Sequence, residues 1–140
     1  MSVKPNQDDI LLVDDDPDYL DLAKIRLETS GFQVSCVSNG TEALKLLDTN
    51  YRPRLIIMDI EMPDKNGLTT LINLNIRQSR DEKKGISRIP VIVATGLQGD
   101  IVRDLILSHH VAGYLRKPYS AEELISQVKA SINSEIGKGS

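Results

Sequence analysis

Short apolar runs alternate with longer amphipathic stretches along the chain. Ile10-Leu11-Leu12-Val13 is the first run, and it stops abruptly at Asp14-Asp15-Asp16. A helix is predicted next, with Asp16 as its N-cap and Pro17 as its first residue. Tyr19, Leu22, Ala23 and Leu27 fall on one face of it, and Gly31 can close it in the left-handed conformation. Phe32 to Val37 reads as a second strand, broken by Asn39-Gly40, and Ala43, Leu44 and Leu47 then mark a second helix. Leu55-Ile56-Ile57-Met58 is a third strand, ending at Asp59. The loop Pro63-Asp64-Lys65-Asn66-Gly67 follows, and then a helix carrying Leu68, Leu71 and Ile72.

The second half repeats the rhythm. Arg77 to Arg88 is polar and mostly basic, and it is expected to be an exposed loop. Pro90 opens a strand, Val91-Ile92-Val93-Ala94, that ends at Thr95-Gly96, and a helix around Ile101, Val102, Leu105 and Ile106 comes after it. Gly113-Tyr114-Leu115-Arg116 is a short fifth strand ending at Lys117-Pro118. Ser120 and Glu123 form a capping box, and Leu124, Ile125, Val128 and Ile132 give the last helix its stripe. Five strands thus alternate with five helices, and three of the strands are almost continuously apolar. That is the mark of a parallel sheet covered on both faces, so the predicted fold is an α/β, doubly wound, five-stranded parallel sheet.

Composition narrows the picture. A chain of 140 residues fits one domain, placed here at 8–136, with 1–7 and 137–140 expected to be flexible termini. The net charge of −3, one phenylalanine and no tryptophan argue against nucleic acid as the main partner. The apolar runs are far shorter than the roughly 20 residues a membrane span needs. Cys36 is the single cysteine, so no internal disulfide forms; this suits a reducing cytoplasm, and Cys36 itself is expected to pack as a small strand hydrophobe. Tyr19, Tyr51 and Tyr119 are likewise expected to pack, and His109-His110 to be ordinary helix-end residues, since neighbours on a helix point apart.

Doubly wound sheets carry their sites beyond the carboxyl ends of the strands. Asp14 and Asp15 follow the first strand, Asp59 the third, Thr95 the fourth and Lys117 the fifth, so all converge on one small volume. Taken singly, each has a bland explanation as a turn former, a β-branched residue or a solvated lysine. Gathered there, the three carboxylates repel: at ~5 Å and an effective dielectric near 20, each pair costs on the order of 3 kcal/mol. A hard divalent cation with oxygen ligands removes that cost, and Mg²⁺ fits, with Mn²⁺ as a substitute. A carboxylate can act as the nucleophile that forms an aspartyl phosphate, while Lys117 and the Thr95 hydroxyl can bind phosphoryl oxygens.

Val13-Asp14-Asp15, Asp59-Ile60-Glu61-Met62-Pro63 with Gly67 beyond, Val93-Ala94-Thr95-Gly96 and Gly113-Tyr114-Leu115-Arg116-Lys117-Pro118 together resemble the receiver domain of bacterial two-component response regulators, including its CheY-like single-domain members. The resemblance runs from about Asp9 to Ile136. It implies the flavodoxin-like, CheY-like fold. It also implies that Asp59 accepts a phosphoryl group from a phosphohistidine on a sensor histidine kinase or a histidine phosphotransfer protein. Mg²⁺ would be held by Asp15, Asp59 and the Glu61 carbonyl, with Asp14 acting through water. Thr95 and Lys117 would bind the phosphoryl group, and Thr95 with Tyr114 would form a switch pair. The fourth helix, fifth strand and fifth helix would then present a changed face to a downstream protein. The resemblance also implies a frequent cis bond at Lys117-Pro118, and an influence of Glu61 and Leu97 on phosphoryl lifetime. Such a module catalyses only its own phosphorylation and dephosphorylation. Since no output segment follows the last helix, output is expected to pass through a partner or a parent protein.

Three departures stand out against the family pattern: Gly96 where a small residue such as Ala is usual, His109-His110 where a glycine often closes the fourth helix, and the long 77–88 segment. Two other functions compete. A pseudo-receiver, which binds partners without phosphorylation, usually loses one of the acidic pair, the acceptor or the lysine, and all are present here. An aspartate-nucleophile phosphatase resembling the haloacid dehalogenases could use Asp14-Asp15-Asp16. It leaves Asp59 unexplained and finds Asp18 where that motif wants Thr or Val.

Overall fold

A computed structural model describes residues 6–61 and 67–138, with side chains described over 9–61 and 67–133. The expected Met62-Pro63 turn and most of the loop after it lie outside the described residues. Five strands, β1 (Asn6–Val13), β2 (Gln33–Val37), β3 (Pro53–Met58), β4 (Val91–Thr95) and β5 (Gly113–Arg116), form one sheet. All described pairings are parallel, in the order β2-β1-β3-β4-β5. Between them run α1 (Pro17–Thr29), α2 (Gly40–Leu47), α3 (Gly67–Lys83), α4 (Asp100–Leu107) and α5 (Ala121–Lys138).

Side-chain alternation along the strands builds two cores from one sheet. Leu11, Val13, Ile56, Met58, Val91 and Val93 point to α2, α3 and α4, where Ala43, Leu47, Leu71, Leu74 and Ile106 close over them. Ile10, Leu12, Leu55, Ile57, Ile92 and Ala94 point the other way, onto Ala23 and Leu27 of α1 and Leu124 and Val128 of α5. The predicted doubly wound α/β sandwich is therefore the observed one. Both faces are needed because each fully buried Leu or Ile is worth about 1.5–3 kcal/mol.

Local signals set most of the helix ends. Asp16 caps α1, its carboxylate accepting from the Asp18 N–H at 3.0 Å. Gly31 follows at φ +97°, the left-handed conformation expected of it. Asn39 caps α2 through the Glu42 N–H at 2.8 Å. The Ser120 hydroxyl accepts from the Glu123 N–H at 3.0 Å, the N-cap half of the capping box expected before α5.

Three expectations are corrected. Residues 77–83 are not loop: α3 continues through Lys83 and the chain turns at Gly85, φ +83°. Arg, Gln, Lys and Glu are good helix formers, and this stretch lacks an apolar stripe only because its anchors are polar. Arg77 donates to the Leu47 carbonyl at 2.7 Å and pairs with Asp48, while the buried Gln78 amide exchanges two hydrogen bonds with the Ile89 backbone. Second, Cys36 is exposed, on the edge strand β2. Third, Leu22 does not join the buried stripe of α1, which rests on Ala23 and Leu27. The first strand begins at Asn6 and the last helix reaches Lys138.

Candidate functional site

The sheet's strand order reverses between β1 and β3, and the chemistry-bearing residues sit at their carboxyl ends. Backbone pairing carries past the strands and fixes each residue against its neighbour. The Asp14 N–H donates to the Val37 carbonyl, the Asp59 N–H to Val13 at 2.9 Å, and the Lys117 N–H to Thr95 at 2.9 Å. Gly67 then brings α3 against the Asp59 loop: its N–H donates to the Ile60 carbonyl, and a Cβ there would lie 2.5 Å from the Ile60 Cα. Only glycine permits that approach.

Asp14 and Asp59 are buried, whereas Asp15 is exposed, and a carboxylate oxygen from each falls within 4.8 Å of the others. Lys117 crosses from β5 to join them, its Nζ donating to Asp14 Oδ2 at 2.6 Å and Asp59 Oδ2 at 3.0 Å. The remaining oxygens are also engaged: Asp14 Oδ1 accepts from the Asp16 N–H at 3.0 Å and Asp59 Oδ1 from the Glu61 N–H at 2.9 Å. Burial pushes the Asp14 carboxyl above the ordinary carboxylate range, and the Lys117 hydrogen bond only partly offsets this. Desolvation pulls the Lys117 ammonium down, but the two carboxylates outweigh it and leave its pKa raised.

These residues meet an open cleft of about 950 Å³ lined by Asp15, Pro17, Tyr19, Asp59, Glu61 and Lys117, with Gly96 and Pro118 at its margin. The Lys117-Pro118 bond is cis. Nothing in its backbone requires glycine at position 96: a Cβ there would sit 3.6 Å from Glu61 Oε1, an ordinary contact. Three all-oxygen donors of like charge, one of them open to solvent, suit a hard cation such as Mg²⁺.

Thr95 is fully buried, and its hydroxyl oxygen accepts from the Leu97 N–H at 3.2 Å. The Leu97 carbonyl in turn accepts from the Tyr114 hydroxyl at 3.4 Å, so Leu97 joins the two residues expected to form a switch pair. Tyr114 lines a second cavity of about 620 Å³ between α4, β5 and α5, together with Leu97, Arg103, Arg116 and Glu123. The strand-end residues Asp14, Asp15, Asp59 and Lys117, singled out by sequence reasoning, are thus brought together. That reasoning missed Tyr19, whose ring lies against Lys117, and the available signal was its place one turn into the helix that the acidic run opens.

Residues 10–129 match the family model for the response regulator receiver domain. Over 121 residues the chain is 37% identical to the transcriptional regulatory protein CpxR homolog of Haemophilus influenzae, covering 86% of this chain and 48% of that protein. The chain therefore spans about half the length of the curated regulators it matches. Among solved structures, the signal receiver domain of a signal transduction histidine kinase from Syntrophus aciditrophicus is 31% identical, with a TM-score of 0.75 and 90% of each chain covered. A CheY-like receiver domain protein from Methanospirillum hungatei is 25% identical with a TM-score of 0.78, covering 95% of this chain and 99% of that one. No helix among the described residues is long and apolar enough to cross a membrane.

Proposed function

This chain belongs to the response regulator receiver domain family, and on that premise we propose that it is a phosphorylation-driven switch whose acceptor is Asp59. One observation supports this above the rest: Lys117 ties the acceptor to Asp14 at the open cleft, with Asp15 beside them. An Asp59 carboxylate oxygen forms the new bond to phosphorus as the bond from phosphorus to the donor breaks. The donor is the imidazole nitrogen of a phosphohistidine, on a histidine kinase or phosphotransfer protein, and it leaves with the electron pair. Asp14, Asp15 and Asp59, with the Glu61 carbonyl, are the residues that would hold Mg²⁺, or Mn²⁺ in its place. Bound there, the ion neutralises charge on the phosphoryl group during transfer. Lys117 exchanges a carboxylate for a phosphoryl oxygen, and the Thr95 O–H donates to another, the side chain swinging toward it so that its oxygen leaves the Leu97 N–H. Loss of that contact frees Leu97, to which the Tyr114 hydroxyl is bonded. The change thereby reaches the α4-β5-α5 face, where a downstream protein binds.

The test is incubation with acetyl phosphate and Mg²⁺, read by intact mass. One added phosphoryl group that needs the metal, is lost with EDTA and is absent in Asp59→Asn is the expected result. A label that survives in Asp59→Asn overturns the assignment and favours Asp14 as nucleophile. An unlabelled protein that still binds Mg²⁺, and takes no phosphate from a phosphohistidine donor either, is a pseudo-receiver.

A further inference from the structure

A lysine side chain is long, flexible and capped by a compact charge, so its ion-pair partners alone leave it several conformations. Lys117 has a further neighbour. Its Nζ lies 4.0 Å from the centroid of the Tyr19 ring, well within the range of cation–π attraction. The ring's own plane is held: Tyr119 packs on it in an edge-to-face pair, centroids 6.0 Å apart and planes at 62°. Tyr119 is two residues past Lys117, and its carbonyl accepts from Arg26 of α1 at 3.3 Å. Tyr19 and Arg26, two turns apart on α1, thereby tie that helix to the β5-α5 loop. Tyr19 also borders the open cleft beside Asp15 and Asp59, so its ring is part of the surface a phosphodonor meets.

We propose that Tyr19 is a positioning residue for phosphoryl transfer, its ring face holding the Lys117 ammonium over the Asp14-Asp59 pair. The inference rests on Asp59 being the acceptor. The chemistry of the ring suits the task. An ammonium has three N–H donors, and two of them go to carboxylates here. A ring face attracts the charge without consuming a donor, so it restrains the lysine while leaving it able to bond an incoming phosphoryl oxygen. A carboxylate or carbonyl in the same place would hold Lys117 but compete with the phosphoryl group for it.

The experiment compares wild type, Tyr19→Leu and Tyr19→Phe by the rate of Mg²⁺-dependent phosphorylation from acetyl phosphate. It repeats Tyr19→Leu in a Lys117→Met background. Tyr19→Leu is expected to slow labelling about tenfold, and Tyr19→Phe, which keeps the ring face, to recover most of that loss. In the Lys117→Met background, Tyr19→Leu is expected to change nothing further. A second readout needs neither metal nor activity: in wild type the Lys117 ε-methylene signals, assigned with Lys117→Arg, are displaced upfield of the other lysines by the ring. This readout stands even if Tyr19→Leu fails to fold. Undisplaced signals, wild-type labelling by Tyr19→Leu, or an equal loss from Tyr19→Leu with and without Lys117 each overturn the proposal. Failure of wild type to label, or labelling of Asp59→Asn, strikes instead at the acceptor reading beneath it.

Discussion

Asp14 shows at the scale of one residue what the site costs the fold. Its carboxylate is buried, and desolvation raises its pKa despite the Lys117 bond, so the folded chain holds the charge reluctantly. Asp14→Asn keeps the shape and one of the two acceptor oxygens, puts an amide N–H2 in place of the other, and removes one of three like charges. It is expected to leave stability unchanged or raise it by up to about 1 kcal/mol, kept small because the neighbouring cleft is open to water. Urea unfolding of both proteins, with and without Mg²⁺, checks this. The variant should also lose most of any stabilisation the metal confers on wild type, because binding to the native state alone is what stabilises it. A loss above about 1 kcal/mol in metal-free buffer would mean that the Lys117 pairing outweighs the desolvation. The acidic residues were legible because each stands where an apolar run stops. Tyr19 was not, since an aromatic one turn into a helix reads as core until a neighbouring charge is seen to lie on its face.

Helix ends separate what the chain states locally from what its packing decides. Asp16, Asn39 and Ser120 cap their helices through their own side chains, which is why those starts were readable. The far end of α3 was not, because Arg77 and Gln78 bond to carbonyls and amides of distant segments that no local pattern reveals. The end of α4 lies between these cases. His110 adopts φ +59° after it, where a glycine was the expected type, and the His109 carbonyl is held by the Asn75 amide. A side chain in the left-handed region costs about 1–2 kcal/mol, and glycine gives part of that gain back through its freer unfolded chain. His110→Gly is therefore expected to stabilise the protein by about 0.5–1 kcal/mol, read as a higher urea midpoint at unchanged slope. Destabilisation would mean that the imidazole makes a contact that outweighs the backbone strain.

On the scale of the whole molecule, the sandwich was legible because the same strand residues feed two helical layers, and only a covered parallel sheet accounts for runs such as Leu55–Met58. The layers also bury phenols at their margins, and that gives the fold a predictable alkaline limit. Burial pushes the Tyr119 hydroxyl up to about 12, and it raises Tyr51 as well. Lys117 is raised by its two carboxylates, net of its own desolvation. All three shifts have the same sign. Each group keeps its proton in the folded chain to a higher pH than in the unfolded one, so the stability it contributes is complete below the unfolded value and is lost as pH rises through the folded value. Stability should therefore be level near neutrality and fall above about pH 10, with Tyr119 alone accounting for roughly 2 kcal/mol by pH 12. Denaturant unfolding from pH 8 to 12, with tyrosinate absorbance followed in parallel, measures the limb. Tyr119→Phe should flatten it by that share without lowering stability at neutral pH. An unchanged slope would mean that the phenol reaches water in the native state, and that the margin between α1 and the β5-α5 loop is looser than its ring packing implies.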